Sequence, residues 1–346
     1  MDATVGDGLM EFLTLDPATF TYGASSDVAP LVRRVIAENP SKFTYHGTGT
    51  YIVGGADVVV IDPGPKLDSH RDALHRALEG CTVRAILVTH CHADHSPLAA
   101  WLTAETGAPT VGYGPHLDDR WDIGEDPIEL LPPPPEPDAD PSGHDATDAA
   151  DGDGAPAAVV VEESTDRAFV PDIVAVSGDR VAAGDGWTVT ALHTPGHTSN
   201  HLCYALDDGS ARTLFSGDHV MGWSTTVVSP PDGDMSAYIE SLRMVAGRHD
   251  DVLIPTHGPP IARPHEFVTE LLAHRLDREA QVLAAVRDGC SSIGPIVLRL
   301  YADVDQRLHQ PAARSVLAHL GRLAAAGRIV VVPDGPPRLD STFVAT

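Results

Sequence analysis

The run Thr89-His90-Cys91-His92-Ala93-Asp94-His95-Ser96 places three imidazoles and one carboxylate within six positions. Imidazole nitrogens and carboxylate oxygens are good ligands for zinc-like ions. On a tight loop the alternate residues His90 and His92 project to one side, and Asp94 and His95 reach a second point a few ångströms away. Gathering four such groups without a cation is unfavourable, because they compete for one space and lose their hydration. His197, Asp218 and His257 share another property. Each lies in a short Gly-flanked turn, Pro195-Gly196-His197, Gly217-Asp218 and Thr256-His257-Gly258, where glycine lets the backbone turn sharply. Five histidines and two aspartates supply seven ligands, enough for two metals with one shared carboxylate and an open position for water.

The elements that must present these groups are strands. The runs 50–53 and 58–61 read as a hairpin around Gly54-Gly55, and Asp62-Pro63-Gly64-Pro65 ends it. A helix follows over 67–78. Residues 84–88 form a short apolar run suited to a buried strand, which leads into the His90–His95 cluster. Ser96-Pro97 then reads as cap and first position of a helix reaching about Thr106. Strands at 173–176 and 187–192 precede His197. A hairpin of 203–206 and 212–215 around Asp207-Asp208-Gly209 precedes Asp218. A helix over 235–248 and a strand over 252–254 precede His257. Every candidate ligand therefore follows a strand, where a rigid scaffold presents reactive groups. A short helix is expected at 28–38, closed by Asn39-Pro40.

The last 80 or so residues have another texture. Helical patterns at 264–288, 292–301 and 311–326 are followed by Gly327 and a β-run at 328–332, the order of a small winged-helix-like module. Two units are expected, 1–262 carrying the chemistry and 263–346 the module. Within the first, 131–156 hold seven prolines and seven acids without a lysine, arginine or aromatic residue. Such a segment lacks the apolar surface to offset its ordering entropy, and it reads as a disordered acidic insertion.

Composition narrows the partners. The chain of 346 residues carries 49 acidic and 23 basic side chains, a formal net charge of −26, so phosphate backbones and anionic lipid are repelled on average. RNA is disfavoured for this reason, and a small-molecule substrate is expected. No stretch reaches the ~18 apolar residues of a membrane span, and the N-terminus lacks the basic start of a secretory signal. Four widely spaced cysteines (Cys81, Cys91, Cys203, Cys290) read as reduced thiols of a cytoplasmic protein. The oligomeric state is left open. His46, His70, His75, His116, His144, His249, His265, His274 and His319 have no metal-ligand spacing around them and read as ordinary histidines.

The Thr-His-Cys-His-Ala-Asp-His run resembles the His-x-His-x-Asp-His signature of the metallo-β-lactamase superfamily. His197, Asp218 and His257 follow in that superfamily's order, and Asp62 matches its first motif. Residues 46–54, His274-Arg275, Arg278-Glu279-Ala280-Gln281, 315–320 and Gly327-Arg328-Ile329 resemble the β-lactamase-like protein 2 branch, which carries a C-terminal winged helix; that branch usually has Asn where this chain has Gly49. The resemblance implies an α+β fold, a four-layer αββα sandwich with metals at one edge. It also implies His90, His92 and His197 on one metal, Asp94, His95 and His257 on the other, and Asp218 bridging. Asp62 would orient ligands from behind. Two Zn2+ are expected, although the same ligands accept Mn2+ or Fe. Two cations about 3.5–4 Å apart bring a shared water's pKa toward neutrality, and the resulting metal-bound hydroxide attacks a carbonyl or phosphoryl centre. Asp94 would orient that nucleophile and take its proton.

The expected activity is hydrolysis of a small ester or thioester, as in hydroxyacylglutathione hydrolases and acyl thioesterases. The alternative is an endoribonuclease cleaving single-stranded RNA, with Arg314, Arg322 and Arg328 of the module as its basic face. A metal-stabilised interaction module without activity is disfavoured by the full ligand set. Trp223, Thr225 and Asn200 are candidate substrate contacts. Cys91, between two ligands, is expected to point the other way, and His219, beside Asp218, to be aimed elsewhere.

Overall fold

The computed structural model describes residues 10–116, 122–124, 164–302 and 309–346. Two sheets dominate. The first has seven strands in sequential order: β1 (Ser25–Ala29), β2 (Val32–Ile36), β3 (Gly49–Gly54), β4 (Asp57–Ile61), β5 (Thr82–Leu87), β6 (Thr110–Gly112) and β7 (Ile173–Val174). It is antiparallel from β1 to β4 and parallel from β4 to β7. The second runs β12-β11-β10-β9-β8, built from β8 (Arg180–Gly184), β9 (Trp187–His193), β10 (Leu202–Asp207), β11 (Arg212–Gly217) and β12 (Val252–Pro255). Only its β11–β12 pair is parallel.

Alternation along the strands explains the layering, since successive side chains leave opposite faces. Val59 and Ile61 of β4 point between the sheets, where Val189, Ala191, Tyr204, Phe215 and Ile254 meet them. Val58 and Val60 point outward onto Ala73 and Leu74 of α1 (Asp68–Ala77) and Leu102 of α2 (Ala99–Thr106). On the second sheet Leu202 and Tyr204 face the inner core, while Cys203 and Leu214 face α3 (Met235–Ala246) and the start of α4 (Pro264–Arg287). The order is helix, sheet, sheet, helix, the expected αββα sandwich. Strands buried on both faces read as unbroken apolar runs, which is why Val58–Ile61 carries no polar interruption.

The tail forms its own core. Val282 and Val286 of α4 pack with Ile296 and Val297 of α5 (Ile293–Leu300), Val316 and Leu320 of α6 (His309–Ala325), Ile329 of β13 (Ile329–Val332) and Phe343 of β14 (Thr342–Ala345). The other end of α4 contributes Phe267, Val268 and Leu271 to the core over the second sheet. One helix thus serves both cores, and residue 263 is its N-cap.

Two expectations fail locally. Residues 28–38 are not helical; they are the end of β1, a turn in which Leu31 adopts φ 60°, and β2. Nor does Ser96 cap α2, which starts three residues later; its hydroxyl donates to Asp166 at 2.7 Å instead. The acidic stretch 131–156 lies outside the described residues.

Candidate metal centre

Parallel alignment within each sheet puts the C-terminal ends of β4, β5, β9, β11 and β12 along one edge. The loops leaving those ends carry Asp62, His90 to His95, His197, Asp218 and His257. Two of the turns need glycine. Gly196 has φ +144°, and a Cβ there would meet Tyr238 Cα at 2.3 Å. Gly217 has φ +52°, and a Cβ would meet His201 Nε2 at 2.5 Å.

The expected ligands converge. His92 Nδ1 lies 2.9 Å from His90 Nε2 and 3.1 Å from His197 Nε2. Asp94 Oδ2 lies 3.3 Å from His95 Nε2 and 3.2 Å from His257 Nε2. Asp218 Oδ2 stands between the groups, 3.6 Å from His95, 3.4 Å from His257 and 3.9 Å from His197. Two clusters that could hold a cation result, His90/His92/His197 and Asp94/His95/His257; a third grouping, His90/His95/Asp218, joins them.

Hydrogen bonds behind the rings decide which nitrogen is offered. His197 Nδ1 donates to Val227 O at 2.7 Å and His257 Nδ1 to Gly47 O at 3.2 Å. His95 Nδ1 donates to Asp62 Oδ2 at 2.9 Å. The Thr89 hydroxyl spends its hydrogen on Asp62 Oδ2, 2.8 Å away, so His90 Nδ1, 3.0 Å from that hydroxyl, donates to it. Each of these four rings therefore turns Nε2 inward. Such outer partners set ligand tautomer and orientation. Asp62 is the centre of this layer: fully buried, it also accepts from Thr89 N at 2.8 Å and from the Thr256 hydroxyl at 3.1 Å.

The donor set fits a cation. His90 and His197 aim lone pairs at one point, and His92 can supply a hydrogen to only one of them. His95 Nε2 and Asp218 Oδ1 are buried without a hydrogen-bond partner, which a folded chain seldom tolerates. Burial, reinforced by the neighbouring imidazoles, holds His90 well below the usual histidine range. Burial chiefly brings His92 down to about 3. Both are neutral and ready to ligate. Burial opposes charge on His95 and His257 too, but Asp94 and Asp218 outweigh it, raising His95 well above its ordinary value and His257 to about 10. Conversely, those two histidines outweigh burial and hold both carboxylates well below their usual range. The protons on His95 and His257 stand where a cation would otherwise balance the carboxylates.

The remaining candidates lie elsewhere. Asn200 is buried, and its amide donates to Cys91 Sγ at 2.9 Å and Gly114 O at 3.2 Å, so it braces the ligand loop and is not free to meet substrate. Cys91 points into the core beside α2, and burial pushes its thiol up to about 11. Trp223 stacks on Tyr45 with ring centroids 4.9 Å apart. Neither it nor Thr225 lines the cavity that opens beside His92 and His197. His219 is buried against Tyr238, 5.0 Å between centroids, away from the ligands. The cavity wall holds three groups that sequence reading passed over or placed differently: His116, Asp232 and Arg314. They come from three distant segments, and no spacing links them.

The fold and the converging ligand loops match a known class. The family profile described as "Metallo-beta-lactamase superfamily" matches residues 45–257, and the chain belongs to that superfamily, as one of its hydrolases. Residues 292–335 match the "Beta-lactamase associated winged helix domain", so the tail is a winged helix. Among relatives, the chain is 29% identical over 264 residues to an atrochrysone carboxyl ACP thioesterase of Passalora fulva, covering 75% of this chain and 62% of that protein. It is 27% identical to the beta-lactamase-like protein 2 homolog of Caenorhabditis elegans, covering 86% and 85%. A beta-lactamase domain protein from Burkholderia ambifaria shares the fold, with a TM-score of 0.67 at 23% identity over 95% of this chain and 96% of that one. No helix among the described residues is long and apolar enough to cross a membrane.

Proposed function

We propose that this protein is a dinuclear metal hydrolase of small esters or thioesters. The observation that carries the reading is the pair of clusters, His90/His92/His197 and Asp94/His95/His257, with Asp218 Oδ2 3.9 Å or less from members of both. His90, His92 and His197 would hold one cation, Asp94, His95 and His257 the second, and Asp218 would bridge. Zinc suits this mixed nitrogen and oxygen set, and manganese or iron would also be accepted. When bound, the ions supply Lewis acidity, bringing the pKa of water toward neutrality and polarising the electrophilic oxygen. The chain does the rest. Asp94 orients the attacking water and receives its proton; the Thr48 hydroxyl donates to Asp94 Oδ2 at 3.1 Å and holds the carboxylate in place. Asp62 keeps the imidazoles of His90 and His95 in the tautomer that ligates.

Thioesters lead within the class because relatives carry the thioesterase name, and because the three arginines expected to make a basic face for RNA do not gather at the cavity among the described residues. Arg314 reaches the cavity wall, but Arg322 is paired with Glu279 and Arg328 lies exposed beside β13. The test is metal analysis of the purified protein together with hydrolysis of acyl thioesters. The wild type should carry two ions per chain and release thiol, and Asp218→Ala should lose metal and turnover together. Cleavage of a short single-stranded RNA by wild type but not by Asp94→Ala would overturn the substrate assignment.

A further inference from the structure

The cavity beside His92 and His197 is not closed by the sandwich alone. Its volume is about 220 Å3, below the ~300–1,000 Å3 of drug-sized sites, so it encloses only part of a longer substrate. Part of its wall is Arg314, on α6 of the winged helix. Other arginines of α4 and α6 place at least part of the guanidinium on a partner, although Arg275 Nε, like Arg314 Nε, is left unpaired. Arg322 has the carboxylate of Glu279, Arg278 donates to Leu300 O at 3.1 Å, and Arg275 donates to Thr226 O. Arg314 Nε is buried with no hydrogen-bond partner, as are His116 Nδ1 and Asp232 Oδ1 on the same wall. The other oxygen of Asp232 accepts from Ser199 N at 2.9 Å and lies 3.7 Å from His116 Nδ1.

Three unmatched polar atoms around one cavity call for a ligand that matches them. The guanidinium is a planar fork suited to carboxylate or phosphate oxygens. The carboxylate of Asp232 repels an anion from its own end, so negative charge is directed to Arg314 and a hydrogen-bond donor to Asp232. The requirement for a local cation also follows from the net charge of −26: screening over ~8 Å at physiological salt weakens distant repulsion but supplies no attraction.

We propose that Arg314 sets substrate specificity by binding an anionic oxygen group on the substrate, so that the preferred thioesters carry a carboxylate or phosphate within reach of the scissile carbonyl. This rests on the thioester reading above. The anion has two sources, a carboxylate on the acyl part or a phosphate on the thiol part. The test compares three substrates: butyryl-N-acetylcysteamine, which is neutral; glutaryl-N-acetylcysteamine, charged on the acyl side; and butyryl-phosphopantetheine, charged on the thiol side. Metal-loaded wild type, Arg314→Gln and Arg314→Lys are assayed together. The wild type should favour one anionic substrate over the neutral one by roughly ten- to a hundredfold in kcat/KM, carried by KM. Arg314→Gln should bring that ratio close to one, and Arg314→Lys should keep part of it; the favoured substrate identifies the source. A wild-type ratio near one, or a preference that survives in Arg314→Gln, overturns the proposal. Calorimetric binding of glutarate and of inorganic phosphate separates the two readings. If no thioester is hydrolysed but one anion binds wild type about tenfold tighter than Arg314→Gln, the anion site stands and the thioester reading falls.

Discussion

Asp62 lies behind the candidate ligands and is hydrogen-bonded to His95 and Thr89. It holds a left-handed φ of 48°, a conformation that costs energy outside glycine but is best tolerated by Asp and Asn. What it gains is four hydrogen bonds to one buried carboxylate. Asp62→Asn keeps the shape and removes the charge that orients His95. Metal affinity should fall about 10–100-fold, read by competition with a chromophoric chelator, while the circular dichroism spectrum is retained. His70 offers a different prediction. Buried beside Thr50, it is pushed down to about 4 by burial. Its folded pKa lies below the ~6.5 of the unfolded chain, so the unfolded state binds the proton first as pH falls. Stability is unaffected above about pH 6.5 and is lost from there down to about pH 4, by about 3 kcal/mol in all. Urea unfolding of His70→Gln should show an acid loss smaller by that order than wild type. At this scale the seven candidate ligands stood out because each segment is local, six residues for His90 to His95 and one Gly turn each for the others; the structure brings their side chains together. Arg314 and Asp232 were not legible as cavity groups, since nothing in their own segments marks them.

At the scale of elements, strand ends and tight turns set the ligand positions. Gly196→Ala would drive a Cβ into the backbone of α3 at 2.3 Å from Tyr238 Cα. Main chain cannot step aside as a flexible side chain does, so a loss of more than about 2 kcal/mol is expected. A thermal melt should show it, along with lower metal content through displacement of His197. The central hairpins and helices α1, α3 and α4 were legible from their patterns. The misreading of 28–38 has a physical cause. Val28, Leu31, Val32, Val35 and Ile36 fall at helical spacing, and β2 lies against a neighbour on each side with nearly every residue buried, so it shows no alternation to betray it. β-branched Val and Ile and sheet pairing prevailed over the spacing.

Across the whole molecule, charge and the shared helix matter most. With a net charge of −26, self-repulsion lowers the stability of the compact state. Raising ionic strength from about 0.01 M to about 0.15 M shortens the screening length from ~30 to ~8 Å, and the melting temperature should rise; a fall would mean that specific ion pairs outweigh the net repulsion. The winged helix of the tail was legible from the change of texture in the last 80 or so residues. That the winged helix reaches back to the cavity was not, because contacts between α6 and the catalytic edge leave no local pattern.

Helix α4 runs unbroken for 24 residues, about 36 Å, with one end in the sandwich core and the other in the winged-helix core. Its length therefore sets a phase. One residue inserted midway would rotate the tail by about 100° and advance it by about 1.5 Å. Most contacts inside each core would survive, yet α6 would swing around the axis, Ala318 would leave the core over the second sheet and Arg314 would leave the cavity wall. The catalytic edge and the tail are in register only at this count of residues, much as two gears on one shaft mesh at one setting.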